Sequence, residues 1–362
     1  MCARPRIPHR RLLLTAIVLS VVFGGAVQAA EERRPLGRLF SAIGDFPLGE
    51  RTDRIDYESL DPTTGKLFIA KMGAGTLVVF DTVQNKVVQE LPGFPKATGT
   101  LAVPQLHRLY VSVPGAGLLP SIAVGLGMVG LSSGRGALAV LDTVDMHELA
   151  RMPGGVFPDG ITFDPRRSRV FVSDEFGGAV LAYDAAANQP LARIDTHGEV
   201  GNTRYDLVTD KIYAPIQSKN RMAVIDPATL RLLDSIPLPG GRHPHGLLIA
   251  PGAAIAYVAC DGDDRLLTVD LVSGKVLSVL PVAHDPDVLA VDDGLKRLYV
   301  AAESGVLETY DISKPTSPVS LGDVFIGEGA HTLAVDQVSH RLFLGLADIG
   351  GKAIMRVLVP KP

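Results

Sequence analysis

The sequence predicts an all-β fold, a seven-bladed β-propeller whose ring is closed by an N-terminal strand that completes the last blade. One short pattern, an apolar, aromatic and apolar triplet, occurs seven times. The copies are KLFIA, RLYVS, RVFVS, KIYAP, IAYVA, RLYVA and RLFLG, with aromatic residues Phe68, Tyr110, Phe171, Tyr213, Tyr257, Tyr299 and Phe343. The aromatics are 42, 61, 42, 44, 42 and 44 residues apart, and a spacing in the low forties is the length of one propeller blade.

Each repeat has the pattern of four short strands separated by turns. The third strand ends on an aspartate, whose carboxylate can accept backbone N–H bonds from the following turn. These residues are Asp81, Asp142, Asp184, Asp226, Asp270 and Asp311, and Arg356 stands at the corresponding count in the seventh copy. Turns such as DPTTGK and DPRRSR have the aspartate and proline order of a type I turn.

The seventh copy reaches Pro362 with only three strands, so its outer strand must come from another part of the chain. Residues 37–46, GRLFSAIGDF, precede the first repeat and resemble the outer strands KVVQELPGF and KVLSVLPVA. We therefore expect the N-terminal segment to complete the last blade. A closed ring leaves only short, protected strand edges, which limits aggregation.

The composition agrees with one large β domain, which we place at residues 30–362. Of the 362 residues, 46% are hydrophobic and 20% are charged, which is enough apolar material for a large core. The chain contains 38 glycines and 26 prolines but no tryptophan. So many turn-forming residues favour short strands over long helices.

Residues 1–29 have the organisation of a signal peptide. Arginines at positions 4, 6, 10 and 11 precede an apolar run at 12–23, and Val27 and Ala29 are small enough for cleavage after them. The alternative is an uncleaved anchor, although about twelve apolar residues are few for a membrane span. Both the general secretory and the twin-arginine routes stay open. We expect a periplasmic or secreted protein with no transmembrane anchor in the mature chain.

Cleavage of the signal would also change the charge and the cysteine content. It would remove four arginines and no acidic residue, so the 35 basic residues would fall to 31 against 39 acidic ones, a net charge of about −8. This charge disfavours nucleic acid as a partner. Only Cys260 would remain, which excludes an intramolecular disulfide. We expect a monomer that depends on its core for stability.

Polar residues recur where each innermost strand begins. Counting back twelve residues from each aromatic gives Asp56, Thr98, Asp159, Gly201, His245, Asp287 and His331, and His243 lies beside them. In a propeller these positions surround one mouth of the central channel. They could cap the turn into each strand, bind a cation or act in acid–base catalysis. If the cofactor is a divalent cation, the expected ligands are His245, His331 and Asp287.

Two charged residues, Glu58 and Arg204, interrupt otherwise apolar or small columns of the inner strands. A buried charge needs a partner, so each could pair within the channel or contact a ligand. A hydrated channel with room for both is the alternative. The candidate ligand-binding set at the channel mouth is therefore Asp56, Asp159, His243, His245, Asp287, His331, Glu58 and Arg204.

The triplets and their continuations, such as RLYVSVPGAG and RVFVSDEFGGAVLAYD, resemble the YVTN-repeat propellers over essentially the whole mature chain. GNTRYDLVTDKIYAPIQSKNRMAVIDPATLRLL is similar to their exported bacterial branch, the YncE family. The chain departs from the motif at its fourth letter, where the family asparagine is replaced by Lys71, Val113, Asp174, Ile216, Cys260, Ala302 and Leu346. The resemblance implies an exported propeller in a superfamily that includes quinoprotein amine dehydrogenase subunits, lactonases and lyases, but it does not imply one reaction.

These observations favour a non-enzymatic propeller that recognises a small molecule or an envelope protein at the channel mouth. The sequence has no glycine-rich phosphate loop, serine nucleophile elbow or paired-cysteine metal motif. Two alternatives stay open. One is a cation-dependent lactonase- or lyase-like enzyme that uses His245, His331 and Asp287. The other is an accessory subunit of a periplasmic quinoprotein dehydrogenase.

The second repeat is 19 residues longer than its siblings because of an insertion at residues 114–136, PGAGLLPSIAVGLGMVGLSSGRG. Seven glycines make this segment pliant, and its many aliphatic residues make it too apolar for a simple solvated linker. A lid over the channel mouth, a docking patch for a partner and a loop packed on its own blade are three interpretations.

Overall fold

A computed structural model describes residues 36–114 and 136–362, which form seven antiparallel sheets of four strands each. The innermost strands of neighbouring sheets contact one another in an unbroken ring, from the first sheet to the seventh and back to the first. The described part of the chain is therefore a seven-bladed β-propeller, as the repeats predict. It also contains four single-turn 3-10 helices, at Leu36–Arg38, Met72–Ala74, Pro104–Leu106 and Gln217–Lys219.

Each blade has an inner strand at the channel, two middle strands and an outer strand. Blade 1 contains β2 (Glu58–Asp61), β3 (Lys66–Lys71), β4 (Thr76–Asp81) and β5 (Lys86–Pro92). Blade 2 contains β6 (Thr100–Val103), β7 (Arg108–Val113), β8 (Gly136–Asp142) and β9 (Glu148–Gly155). Blade 3 contains β10 (Pro158–Asp164), β11 (Arg169–Asp174), β12 (Ala179–Asp184) and β13 (Gln189–Asp195).

The second half of the ring repeats this order. Blade 4 contains β14 (Arg204–Asp206), β15 (Lys211–Ile216), β16 (Arg221–Asp226) and β17 (Arg231–Pro237). Blade 5 contains β18 (Pro244–Ile249), β19 (Ile255–Cys260), β20 (Arg265–Asp270) and β21 (Lys275–Pro281). Blade 6 contains β22 (Pro286–Asp292), β23 (Arg297–Ala302), β24 (Val306–Asp311) and β25 (Val319–Phe325). Blade 7 contains β26 (Ala334–Val335), β27 (Leu342–Ile349), β28 (Lys352–Pro360) and, outermost, β1 (Phe40–Glu50).

The N-terminal strand closes the ring, which confirms the prediction from residues 37–46. β1 pairs antiparallel with β28, and Phe40 lies opposite Pro360. Arg356 does not replace the repeat aspartate, because the β27–β28 hairpin is longer than the others and sets Arg356 opposite Leu344. Instead, the guanidinium of Arg356 donates to both carboxylate oxygens of Asp45 on β1, at 2.8 and 2.6 Å. This paired contact links the first and the last strand of the described chain.

The apolar core is divided among the spaces between adjacent blades. For example, Phe68 and Leu77 of blade 1 pack with Leu109 and Val111 of blade 2. All seven repeat aromatics are at most 1% exposed. A single blade would leave these side chains in water, so the ring is stable because each blade covers its neighbour.

The repeat aspartates at the ends of the third strands act as expected. In each of blades 1–6 the carboxylate accepts the backbone N–H of the residue two positions later, at 2.7–2.9 Å, from Asp81, Asp142, Asp184, Asp226, Asp270 and Asp311. The spacing that recurs in the repeats is thus explained by turn geometry, and these aspartates have structural roles.

The predicted signal peptide, residues 1–29, lies outside the described residues, as does the insertion apart from its two end residues. No helix among the residues that the structure describes is long and apolar enough to cross a membrane. Cys260 is buried at the end of β19, and burial raises the pKa of its thiol. A buried thiol with a raised pKa is a poor nucleophile.

Candidate functional site

A cavity of about 270 Å³, the mouth cavity, opens at one end of the central channel. Its walls come from the segments that lead into the inner strands and from hairpins between second and third strands. The ring positions occupy equivalent places there: Asp56, Thr98 and Gly201 each donate a backbone N–H to the carbonyl two residues beyond the repeat aromatic, at 2.8, 3.1 and 2.9 Å. The repeat therefore places the backbone of each ring residue at the same position in its blade.

The structure brings six of the eight candidate residues together at this mouth. Five of them line the mouth cavity: Asp56, Asp159, His243, His245 and Asp287. His331 is 1% exposed and lies beside a neighbouring cavity of about 410 Å³. Arg54 and Glu303 line both cavities, so the two share one wall.

Asp287 and His331 lie at the centre of a charged network in that wall. Asp287 Oδ1 is 3.4 Å from His245 Nε2, and Asp287 Oδ2 is 3.7 Å from His331 Nδ1. His331 Nδ1 also lies 3.3 Å from Glu303 Oε1, while its Nε2 is 3.6 Å from Asp56 Oδ1. Side chains from blades 1, 5, 6 and 7 thus meet at one place.

The guanidinium of Arg54 joins the same carboxylates from the outer side. Its Nε donates to Asp56 Oδ2 at 3.1 Å, and its Nη1 donates to Glu303 Oε1 at 2.6 Å. Its Nη2 lies 3.5 Å from Asp287 Oδ2. Arg54 thus contacts three carboxylates at once, and its charge favours the ionised forms of Asp56 and Glu303.

These contacts determine the ionisation of the network. Burial alone would lower the pKa of His331, but contacts with Asp56 and Glu303 raise it to about 10. Burial likewise opposes the charges of Asp287 and Glu175, which raise the pKa of His245 to about 9. Contact with His331 and the charge of Arg54 hold the pKa of Glu303 at about 2. Near neutral pH the two imidazoles are therefore cations, and neither has a free lone pair.

Asp159, on the opposite wall, has a different environment. It is 4% exposed, and its Oδ2 has no hydrogen-bond partner among the described residues. Burial, followed by the charges of Glu175 and Asp56, raises the pKa of Asp159 to about 8. Burial also raises the pKa of Glu175, which accepts a bond from Gln217 Nε2 at 3.1 Å. Asp159 can therefore exchange a proton near neutral pH, and both carboxyl groups of this wall can accept hydrogen bonds.

His243 stands at the rim and is partly exposed. Its Nδ1 lies 2.6 Å from Asp261 Oδ1, and its Nε2 lies 3.5 Å from Glu199 Oε2. These two contacts raise its pKa to about 10. His243 is therefore an ion-paired residue of the rim, whereas His245 lies deeper in the wall.

Glu58 and Arg204 lie behind the cavity wall, and Arg204 is close enough to Tyr57 and Asp159 to interact with them electrostatically. Neither is among the residues that line the mouth cavity. Glu58 is buried against Gly345 of blade 7, where burial raises its pKa well above the usual range and neither carboxyl oxygen has a hydrogen-bond partner in the described part of the chain. Arg204 donates to the carbonyl of Thr203 at 2.9 Å, and burial lowers its pKa.

Tyr57 contributes to the wall of the mouth cavity and also reaches across the channel. Its hydroxyl donates to Asn202 Oδ1 at 2.7 Å, although Tyr57 belongs to blade 1 and Asn202 to blade 4. Blades 1 and 4 stand three positions apart in a ring of seven, so this bond crosses the channel. It holds the phenol ring inside the opening.

The candidate metal ligands converge only in part. Asp287, Glu303 and His331 each offer one ligand atom, and these atoms lie within 4.8 Å of one another. His245, the third predicted ligand, is not in this group and contacts the other oxygen of Asp287. Arg54 Nη1 lies against Glu303, so a cation there would have to displace a guanidinium and a proton of His331.

Sequence reasoning missed Arg54 and Tyr57. The sequence does contain a signal for Arg54. In an extended segment residues i and i−2 lie on the same side, so the residue two positions before each ring residue should face the same mouth. Those residues are Arg54, Lys96, Phe157, Glu199, His243, Asp285 and Gly329. Four of them, Arg54, Phe157, His243 and Asp285, line the mouth cavity.

Comparisons with known proteins support the fold. No family model matches the chain, and no curated protein matches it. The chain is similar to a solved structure of hydrazine synthase from Kuenenia stuttgartiensis, with a TM-score of 0.67 and 16% identity over 81% of this chain and 93% of that chain. At this identity the likeness shows a shared fold and nothing about the site.

Proposed function

We propose that this protein is an exported β-propeller that binds a small polar ligand in the mouth cavity. The observation that carries the proposal is the side chain of Asp159, buried at the cavity wall with Oδ2 left without a hydrogen-bond partner in the described chain. Buried polar groups of folded proteins nearly always have partners. An unpaired one with a shifted pKa beside a cavity favours a binding function over a structural one.

The neighbouring wall supports the same proposal. The bonds among Arg54, His331, Asp56 and Glu303 hold the side chains of that wall in place before any ligand arrives. A pre-organised site binds with a smaller loss of conformational entropy. Membership in the YVTN-repeat family, and in its YncE branch, is part of this proposal and rests on the repeat motifs.

The test is a thermal-shift screen of a small-molecule library that covers cations, neutral molecules and anions. We expect at least one compound to raise the melting temperature of the protein and to lose this effect in Asp159→Asn. Asp195→Asn is the matched control, because Asp195 is exposed, pairs with Arg193 and does not line the cavity. A screen in which no compound distinguishes Asp159→Asn from Asp195→Asn would contradict the proposal.

A second candidate function is that of a cation-dependent enzyme. The single observation in its favour is the convergence of Asp287, Glu303 and His331. If it is correct, the purified protein should contain a divalent metal in a one-to-one ratio, and Glu303→Gln should lose most of it. A metal-free protein whose melting temperature does not respond to Ca²⁺, Mg²⁺ or Zn²⁺ would exclude this candidate.

Export is the remaining part of the proposal and is supported by the arginines, apolar run and small residues of positions 1–29. When the full chain is expressed in a bacterium with an outer membrane, the periplasmic fraction should contain a protein that begins close to residue 30. Mass spectrometry of the intact protein measures this. Full-length protein found only inside the cytoplasm would contradict export.

A further inference from the structure

The lining of the mouth cavity has more carboxyl groups than basic side chains, and its negative charge increases toward pH 8 as Asp159 ionises. Among the described residues that line it, seven are acidic: Asp56, Asp159, Glu175, Asp261, Asp285, Asp287 and Glu303. Against these stand Arg54, His243 and His245. A concave, partly desolvated surface with more carboxylates than cations attracts positively charged molecules and repels anions.

The charges are also unevenly distributed. Arg54 and His331 lie on the side of Asp56 and Glu303, where they already neutralise their partners. On the other side Asp159 Oδ2 has no hydrogen bond within the described chain. Asp287 Oδ1 faces His245 at 3.4 Å but also makes no hydrogen bond there. Asp159 Oδ2 therefore has no donor among the described residues, and Asp287 Oδ1, although ion-paired with His245, still has an unused hydrogen-bonding position.

Apolar side chains line the same cavity as these acceptors. Phe157, Met72 and Pro286 contribute to the same cavity. The ring of Phe157 is held edge-on against Phe176, with centroids 5.0 Å apart, and its backbone N–H donates to the buried Asp174 at 2.9 Å. An aromatic face beside carboxylates suits an organic cation, whose charge is attracted to both. A hydrated metal ion would gain nothing from these apolar groups.

We propose that the mouth cavity binds an organic cation, whose N–H groups donate to Asp159 and Asp287 and whose apolar body lies against Phe157. This assignment rests on the proposed function and names the class of its ligand. The volume of about 270 Å³ is sufficient for a small molecule with one ring. Because the pKa of Asp159 is raised to about 8, a bound cation has to displace a proton from this carboxyl at lower pH, so binding should be strongest at pH 8 and above.

The test compares three molecules of nearly the same shape: benzamidine, which is cationic, benzamide, which is neutral, and benzoate, which is anionic. Titration calorimetry of the purified protein near pH 8 should show one-to-one binding of benzamidine. We expect benzamide and benzoate to bind at least about tenfold more weakly, since each lacks the charge-assisted bonds.

Three variants locate the binding. Asp159→Asn should weaken benzamidine binding by about tenfold or more, and Phe157→Leu by a few-fold. Asp195→Asn, the matched loss of one exposed carboxylate, should leave it within about twofold. If Asp159→Asn fails to fold, Phe157→Leu still tests the proposal, because unchanged benzamidine binding in that variant would contradict the proposed contact with Phe157.

Other outcomes overturn the assignment in different ways. Binding of benzoate or benzamide that is lost in Asp159→Asn would keep the cavity as a binding site but refute the organic cation. Displacement of benzamidine by low concentrations of Ca²⁺, Mg²⁺ or Zn²⁺ would make it a metal site instead. If no compound of any charge responds to Asp159→Asn, both the assignment and the proposed binding function fail.

Discussion

His331 and Asp159 are both almost completely buried at the channel mouth, and their neighbours give them opposite properties. His331 is surrounded by Asp56, Asp287 and Glu303, which stabilise its charge. Asp159 lies near Glu175 and Asp56, which disfavour its charge, while His245 and Arg204 act in the other direction. His331 is therefore a fixed structural cation, whereas Asp159 remains available to an external partner.

The pKa of Asp159 predicts a pH dependence of stability. Its folded value of about 8 lies above the ordinary value of 3.8, so the folded protein keeps a proton that the unfolded chain loses. The folded state is therefore penalised progressively as the pH rises from about 4 to 8. The free energy of unfolding of the natural protein should fall relative to Asp159→Asn over this range, with a slope approaching about 1.4 kcal/mol per pH unit.

Urea denaturation of both proteins at pH 5, 6, 7 and 8 measures this difference. Asp159→Asn keeps the other charged groups near this carboxyl, which are Glu175, His245, Asp287, Asp56 and Arg204, so the difference between the two proteins reports mainly on Asp159. Asp195→Asn is the control, and its stability should run parallel to that of the natural protein. Parallel curves for Asp159→Asn as well would show that the carboxyl is ionised throughout.

β1 is the one element whose position in the sequence differs most from its position in the fold. It lies before the first repeat but completes blade 7, where it covers the edge of β28. Phe40 and Leu48 of this strand are each 1% exposed, and Arg356 binds Asp45 across the pair. β1 therefore contributes packing and edge protection together.

Removal of residues 1–50, which include β1, should destabilise the propeller and make it aggregate. The loss of two buried side chains and a strand pairing should lower the free energy of unfolding by at least about 5 kcal/mol. The control is a protein that begins at residue 36 and keeps the whole of β1. Its melting temperature should equal that of the full-length protein. Melting curves and size-exclusion profiles give the answer, and an equally stable monomer without β1 would show that blade 7 does not need it.

Across the whole molecule, two kinds of contact stabilise the ring: apolar packing between neighbouring blades and a hydrogen bond across the central channel. Each apolar cluster joins adjacent blades, as Phe68 and Leu109 show for blades 1 and 2. The bond between Tyr57 and Asn202 instead connects blades on opposite sides of the channel. The position of Tyr57, which lines the mouth cavity, therefore depends on a residue of blade 4.

Tyr57→Phe should therefore weaken the ring at two places. Removal of the hydroxyl leaves the buried Asn202 Oδ1 without its partner, which should cost about 1–3 kcal/mol. Amide hydrogen exchange should become faster in the inner strands of both blade 1 and blade 4. The control is Tyr213→Phe, which breaks a bond to Thr209 inside blade 4 and should affect that blade alone. Faster exchange limited to blade 1 in Tyr57→Phe would contradict a link across the channel.

The repeat made much of the site predictable. A fixed distance from each aromatic leads to the same backbone position in every blade, so Asp56, Asp159, His245, Asp287 and His331 could be assigned to one mouth before their contacts were known. The same count failed for Arg356, because the longer β27–β28 hairpin shifts the register of that copy. Counting also grouped Glu58 and Arg204 with the mouth residues, although neither lines the cavity.

The amino-acid sequence by itself determined the number of blades, the closing strand and the turns, because each depends on a local pattern that recurs in the chain. Only the tertiary structure decided which charges neutralise one another. Arg54 and Glu303 are 249 residues apart, and Tyr57 and Asn202 are 145 residues apart, yet each pair is hydrogen-bonded. Such contacts form between blades that meet only when the ring is closed, so no local pattern encodes them, and they leave Oδ2 of Asp159 without a hydrogen-bond partner in the described chain.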